Sequence, residues 1–161
     1  MKKIIIAIDS FKGCLTSAEA GKAAEKGIKS INPFCHTSVI PIADGGEGLL
    51  DVLITATKGK YITLSAHGPL MKMAKTHYGL SGNGRTAIIE MAAISGLPLV
   101  PIEQRNPMLT TTFGTGELIK DALNKGCRNF IIGIGGSATN DAGLGMLQAL
   151  GFRFLDKSGI P

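Results

Sequence analysis

Apolar positions along the chain fall into short blocks whose period changes at glycine- and proline-bearing turns. Lys3 to Ile8 is a β-branched run that empties into the polar turn Asp9-Ser10-Phe11-Lys12-Gly13, and Thr16-Ser17-Ala18-Glu19 then supplies the Thr-x-x-Glu capping box of a helix start. The pattern predicts a strand, a loop and a helix running to about Ile31, where Asn32-Pro33 stops it. Ser38 to Ala43 reads as a second strand ending at Asp44-Gly45-Gly46-Glu47-Gly48, followed by a helix over Leu49 to Thr57. Two strands joined through a helix of this length predict a right-handed crossover with parallel strands. Both Asp-bearing loops would then open into one crevice at the carboxyl ends of the strands.

From Lys60 to Met91 the texture shifts to alternating segments, Tyr61 to Ala66, Lys72 to Leu80 and Arg85 to Glu90, separated by Gly68-Pro69 and Ser81-Gly82-Asn83-Gly84. This predicts an antiparallel patch, with Gly96-Leu97-Pro98 and Pro101 marking the loop that leaves it. Thr110 to Gly116 opens a helix over about Glu117 to Asn124, Gly126 stops it, and Arg128 to Ile134 reads as a strand. That strand empties into Gly135-Gly136-Ser137-Ala138-Thr139-Asn140-Asp141, a helix follows to about Leu150, and Phe152 to Leu155 begins a further strand. The strand–helix–strand alternation places the chain in the α/β class. The stop at Ile160-Pro161, directly after a new strand start, reads as a chain cut short.

Composition narrows the function classes. The 22 glycines among 161 residues follow no collagen-like period or Gly/Ser tract and so serve turns and close backbone approaches. A formal charge of +5 with no Trp, two Tyr and no dense basic run lacks the stacking platform and phosphate track of nucleic-acid binders, and Lys22, Lys26 and Lys29 recur as on a solvated helix face. Asp9 and Lys12 interrupt the N-terminal apolar run well short of a signal peptide, and no apolar stretch has membrane-spanning length. No membrane or nucleic-acid partner is expected, and a cytoplasmic location is. Cys14, Cys35 and Cys127 form no Cys-x-x-Cys pair and fit reduced thiols in the cytosol.

Three loops could carry chemistry. Gly135 to Asp141 has the parts of an anion cradle, because glycines admit phosphate oxygens to backbone N–H groups and Ser137 and Thr139 add hydroxyls. Asp141 could hold Mg²⁺, or Asn140 and Asp141 could simply cap the next helix. Asp9-Ser10-Phe11-Lys12 brings a carboxylate, a hydroxyl and an ammonium to one strand end, suited to orienting an alcohol and neutralising phosphate, or else forms a capped turn. Asp44 and Glu47, set among glycines, suit Mg²⁺ or polyol hydroxyls. Glu90 and Arg105 are weaker candidates, Arg105 as a guanidinium for a carboxylate or phosphate. His36, His67 and His77 have no carboxylate at a recognisable spacing. A rival reading takes Gly133-x-Gly135-x-x-Ala138, with Asp156 at the end of the next strand, as a loose NAD(P) fingerprint of a Rossmann protein. From the residues alone, phosphoryl transfer fits best.

The motifs together, Ala-x-Asp-Ser-Phe-Lys-Gly at 7–13, Ala-Asp-Gly-Gly-Glu-Gly at 43–48, Arg-Thr-Ala-x-x-Glu-Met-Ala at 85–92, Arg-Asn-Pro with Thr-Thr-Thr-Phe-Gly-Thr-Gly-Glu-Leu at 105–118 and Ile-Gly-Ile-Gly-Gly-Ser-Ala-Thr-Asn-Asp at 132–141, resemble the bacterial type I glycerate kinase family. The resemblance spans nearly the whole chain in the family's order. It implies ATP-dependent phosphorylation of D-glycerate, at the 2-hydroxyl, with Mg²⁺. The implied fold is a Rossmann- or flavodoxin-like parallel sheet with a second, smaller α/β domain, of which this chain holds the N-terminal part. On that reading residues 1–66 open the Rossmann-like domain, 67–100 are a β-rich segment of the second, and 101–161 carry the glycine-rich loop and stop incomplete.

The resemblance suggests Asp9, Lys12, Asp44 and Asp141 as catalytic groups and Asp44 and Asp141 for metal. It assigns Gly135, Gly136, Ser137, Thr139 and Asn140 to the nucleotide and Ser10, Glu47 and Arg105 to the substrate. Cys14, Leu49 and Ala142 depart from the Ser, Thr and Gly expected of the family. A homo-oligomer and a non-catalytic ligand-binding or assembly fragment stand as alternatives for a chain of this length.

Overall fold

The computed structural model describes residues 3–160. Strand β1 (Lys3–Ile6) and strand β2 (His36–Val39) pair in parallel, joined through helix α1 (Ser17–Ile31). Thr16 caps α1 with the reciprocal Thr16–Glu19 hydrogen bonds of a capping box. Both strands end earlier than the apolar run of the sequence suggests. Beyond Ile6, whose carbonyl accepts the Ile40 amide, the backbone bonds to a side chain instead of to a neighbouring strand. The buried Ser17 hydroxyl donates to the Ile8 carbonyl at 2.7 Å and accepts from the Ile42 amide at 2.9 Å. One hydroxyl therefore ties the two strand ends to the helix start and sets where their loops emerge.

Helix α2 (Leu49–Thr57) leads into a four-stranded sheet of order β3-β4-β5-β6, formed by β3 (Lys60–His67), β4 (Met73–Leu80), β5 (Thr86–Glu90) and β6 (Asn129–Gly133). The first three strands are antiparallel and β6 joins β5 in parallel. The crossover from β5 to β6 runs through helix α3 (Ala92–Ser95), two short 3₁₀ turns and helix α4 (Phe113–Asn124). Helix α5 (Leu144–Ala149) packs on α4.

Strand β5 is covered on both sides, which accounts for its uninterrupted apolar run. Ala87 and Ile89 join Ala66, Tyr78, Leu118 and Ala122 in the core beneath α4, while Ile88 meets Leu50 and Ile54 of α2 on the opposite face. The Tyr78 ring is fully buried, and its hydroxyl reaches Asp121 of α4 at 2.8 Å, so its polar tip is satisfied.

Three sequence expectations change. Helix α4 begins a turn before Glu117, because Gly114 and Gly116 are packing residues and not breakers: a Cβ at Gly114 would lie 1.9 Å from the His67 carbonyl oxygen, and one at Gly116 2.3 Å from that of Met146. Phe152 to Leu155 is not a strand; no ladder partner runs beside it among the described residues, and Phe152 and Leu155 are exposed. Asp156 instead accepts the amides of Ser158 and Ile160 in a turn. The strand-terminal acid of the NAD(P) fingerprint is therefore missing, and with it that reading's second half.

Candidate active site

The loops that follow β1, β2 and β6 open into one cleft of about 890 Å³. Ser10 and Lys12 line it from the first loop, Asp44 and Glu47 from the second, and Gly135 and Gly136 from the third. The parallel pairing of β1 with β2 and of β5 with β6 delivers these loops to a common edge, as expected of α/β sheets.

The second and third loops are in direct contact. The Gly135 amide donates to the Gly45 carbonyl at 3.1 Å, and a Cβ at Gly135 would come within 2.6 Å of the Gly46 Cα. Gly136 turns with φ +75°, a left-handed conformation that favours glycine. The third loop is also sewn to its surroundings by Leu97 N to Gly136 O at 2.9 Å, Ala138 N to Ser95 O at 2.9 Å and the Thr110 hydroxyl to Ala138 O at 2.8 Å. With the amides of Gly135, Ala138 and Thr139 engaged, those of Gly136 and Ser137 donate to no other group among the described residues.

The remaining sequence candidates lie elsewhere. The Asp9 carboxylate accepts the Ser10 amide at 2.6 Å and does not line the cleft. Ser137 and Thr139 turn their hydroxyls on each other at 2.7 Å. Asn140 is exposed outside the cleft lining. Asp141 accepts the backbone N–H and the hydroxyl of Thr112 at 2.9 and 2.8 Å, and the amides of Gly143 and Gly145 at 3.1 Å each. Arg105 sits on the exposed loop before α4 and donates from Nε to the Val100 carbonyl at 3.3 Å.

Other cleft residues lie outside the three loops: Glu90 is a candidate of the sequence, whereas His77 and Asp51 are not. Glu90, at the end of β5, is half-buried in the wall and accepts the Leu50 amide at 3.3 Å. Burial pushes its carboxyl above the ordinary glutamate range; hydrogen bonds from the backbone of Leu50 and Gly48 oppose the rise, and the charges of Asp51 and Glu47 add to it. His77 and Asp51 also line this wall, with the Tyr61 ring set edge-on to His77 at 5.6 Å and its hydroxyl 2.6 Å from Asp51. Outside the cleft lining, His67 pairs through Nδ1 with Glu117 at 3.0 Å, a partner fifty positions along the chain that no spacing rule would find.

The site suits an anionic ligand held beside carboxylates. Lys12 brings the positive charge, the glycine-rich turn brings unengaged amides, and Asp44 keeps an exposed carboxylate after one oxygen takes the Gly46 amide at 3.0 Å. No group of three or more metal-ligating side chains occurs among the described residues. Mg²⁺ in phosphoryl transfer needs one or two carboxylates, with phosphate oxygens and waters completing its shell. Asp44 fits that role, whereas Asp141 Oδ2 is taken by Thr112 and Gly145 and Oδ1 by the Gly143 amide.

Comparison with known proteins agrees with these motifs. The family model for the glycerate kinase family matches residues 4–161. The chain is 56% identical over 157 residues to "Glycerate kinase" of Bacillus subtilis (strain 168), a match covering 98% of this chain and 41% of that protein. It is 52% identical over 157 residues to "Glycerate 2-kinase" of Escherichia coli (strain K12), again 98% of this chain and 41% of the relative. The structure described as "Crystal structure of putative glycerate kinase 2 from Salmonella typhimurium LT2" superposes with a TM-score of 0.84 at 50% identity, over 99% of this chain and 42% of the other. The chain thus spans about two-fifths of the length of these relatives. With a family match from residue 4 to the end and the loops after β1, β2 and β6 opening into one cleft, this chain belongs to the glycerate kinase family.

Proposed function

We propose that this chain contributes to the ATP-dependent phosphorylation of D-glycerate, at the 2-hydroxyl, in the cytoplasm. The observation that carries this reading is the convergence of Lys12, Asp44, Glu47 and the Gly135–Gly136 turn on one cleft in a chain of this family. Loose phosphoryl-transfer transition states ask mainly for positioning and charge neutralisation, and each of these groups offers one or the other. The Lys12 ammonium neutralises charge on the transferred phosphoryl, and the amides of Gly136 and Ser137 donate to phosphate oxygens. Asp44 would hold Mg²⁺, which when bound neutralises charge on the polyphosphate. Ser10 and Glu47 orient the glycerate hydroxyls, so that the 2-oxygen attacks the terminal phosphorus, its proton passes to a cleft carboxylate, and ADP leaves. Arg105 would have to release the Val100 carbonyl to reach the glycerate carboxylate.

The second reading, a binding or assembly module without turnover of its own, is favoured by apolar side chains left in solvent: Ile5 is 60% exposed on β1 and Ile134, just past β6, 75%. A coupled assay for ADP release from Mg-ATP, with and without D-glycerate, tests both. Glycerate-dependent turnover that disappears in Lys12→Ala supports the kinase reading for the chain by itself. A folded chain with no turnover leaves the module reading.

A further inference from the structure

Helix α2 carries its own puzzle of capping. Its N-cap residue is Gly48, in the left-handed region at φ +88°, and makes no side-chain cap hydrogen bond. The first amides of a helix have no partner within the helix and need an acceptor from outside. Here the acceptor comes from another element altogether. Glu90, forty positions downstream at the end of β5, places Oε2 3.3 Å from the Leu50 amide. Glu90 stands in register with Gly133 of β6, and the Met91 amide donates to the Gly133 carbonyl at 2.9 Å, so its backbone is fixed to the strand that feeds the glycine-rich turn. The loop from Asp44 to Gly48 is thus held at both ends. Gly135 grips the Gly45 carbonyl on one side, and Glu90 caps the helix on the other.

We infer that Glu90 is a positioning residue of the cleft: by capping α2 from β5 it fixes Asp44 and Glu47 relative to Gly135 and Gly136. The inference rests on the phosphoryl-transfer reading of the cleft, and it concerns the placement of the acidic loop, not contact with substrate. An acceptor carboxylate at the start of α2 also complements the helix dipole, which offsets part of the cost of holding it half-buried beside Asp51 and Glu47.

Residue-resolved amide hydrogen exchange on the 161-residue chain tests this without any need for turnover, so the positioning role and the kinase reading fail separately. Glu90→Gln keeps an oxygen acceptor, whereas Glu90→Leu fills a similar space without one. Glu90→Leu is expected to speed exchange at Leu50 and across Gly46 to Gly48 by about tenfold, with Glu90→Gln within about twofold of the parent. The core amides of Ile88, Ile89 and Leu118 should exchange as in the parent in both variants. The inference is overturned if the Leu and Gln variants behave alike, or if exchange in Glu90→Leu rises equally in the core.

Discussion

Asp141 and Thr112 form a two-point clasp, in which one carboxylate oxygen accepts both the backbone N–H and the hydroxyl of Thr112, at 2.9 and 2.8 Å. Thr112 is the N-cap of α4, and the same carboxylate takes the Gly143 and Gly145 amides at the start of α5. Asp141 therefore caps two helices at once and closes the glycine-rich loop between them. Burial works to raise its carboxyl, but the hydrogen bonds from Thr112, Gly145 and Gly143 outweigh it and hold the group below its ordinary value. A depressed folded value means stabilisation that is fully present above the unfolded value of about 3.9 and is lost as pH falls through the folded one. Asp141→Asn should therefore cost about 2 kcal/mol at neutral pH and flatten the acid limb of the stability curve. Urea unfolding of both proteins at several pH values checks it; an unchanged acid limb contradicts the clasp.

The residue after that clasp is under backbone strain. Ala142 sits at φ +52°, where a side chain costs about 1–2 kcal/mol and glycine almost nothing. Ala142→Gly should raise stability by about 1 kcal/mol, less a few tenths for the freer unfolded chain. A denaturation midpoint that stays put or falls would show that the loop relieves the strain in another way.

Where the second and third loops touch, no side chain fits. Gly135→Ala would drive a Cβ to within 2.6 Å of the Gly46 Cα, a backbone atom that cannot rotate away. The variant should lose about 1–3 kcal/mol of stability, typical of overpacking. It should also show new amide chemical shifts at Gly45 and Gly46, measurable by NMR. Wild-type shifts there would mean the loops are not in contact in solution.

Tyr61 reports on the cleft wall. Its hydrogen bond to Asp51 is the main reason its phenol is pushed up to about 12, with burial and the Asp51 charge adding to the effect. Tyr78 is raised as well, by burial first and then by Asp121. Alkaline titration of phenolate absorbance should therefore show no step at the ordinary value of about 10, and Asp51→Asn should bring one tyrosine back toward it. A step near 10 in the parent protein would refute the Tyr61–Asp51 contact.

Helix α1 and helix α2 could be read from the chain because their signals are local: a capping box at Thr16, a Pro stop after Asn32, and a compact apolar block from Leu49 to Thr57. The parallel crossover followed from the same local pattern, since a helix of that length between two strands leaves few other ways to connect them. The strand ends, by contrast, were settled by Ser17, whose hydroxyl reaches carbonyl and amide groups far along the sequence. The early start of α4 and the non-strand at Phe152 to Leu155 likewise depended on what packs or pairs alongside.

For the site, residue types and glycine spacing marked the three loops as sites for anion and carboxylate chemistry, because those requirements are written in composition. Tertiary structure alone decided which members face the cleft. It left Lys12, Asp44, Glu47 and the Gly135–Gly136 turn there, engaged Asp9 and Asp141 with backbone amides, and brought in Glu90, His77 and Asp51 from strands and helices outside those three loops. Hydrogen-bond saturation and burial are properties of neighbours in space, and neighbours in space are what a one-dimensional pattern does not contain.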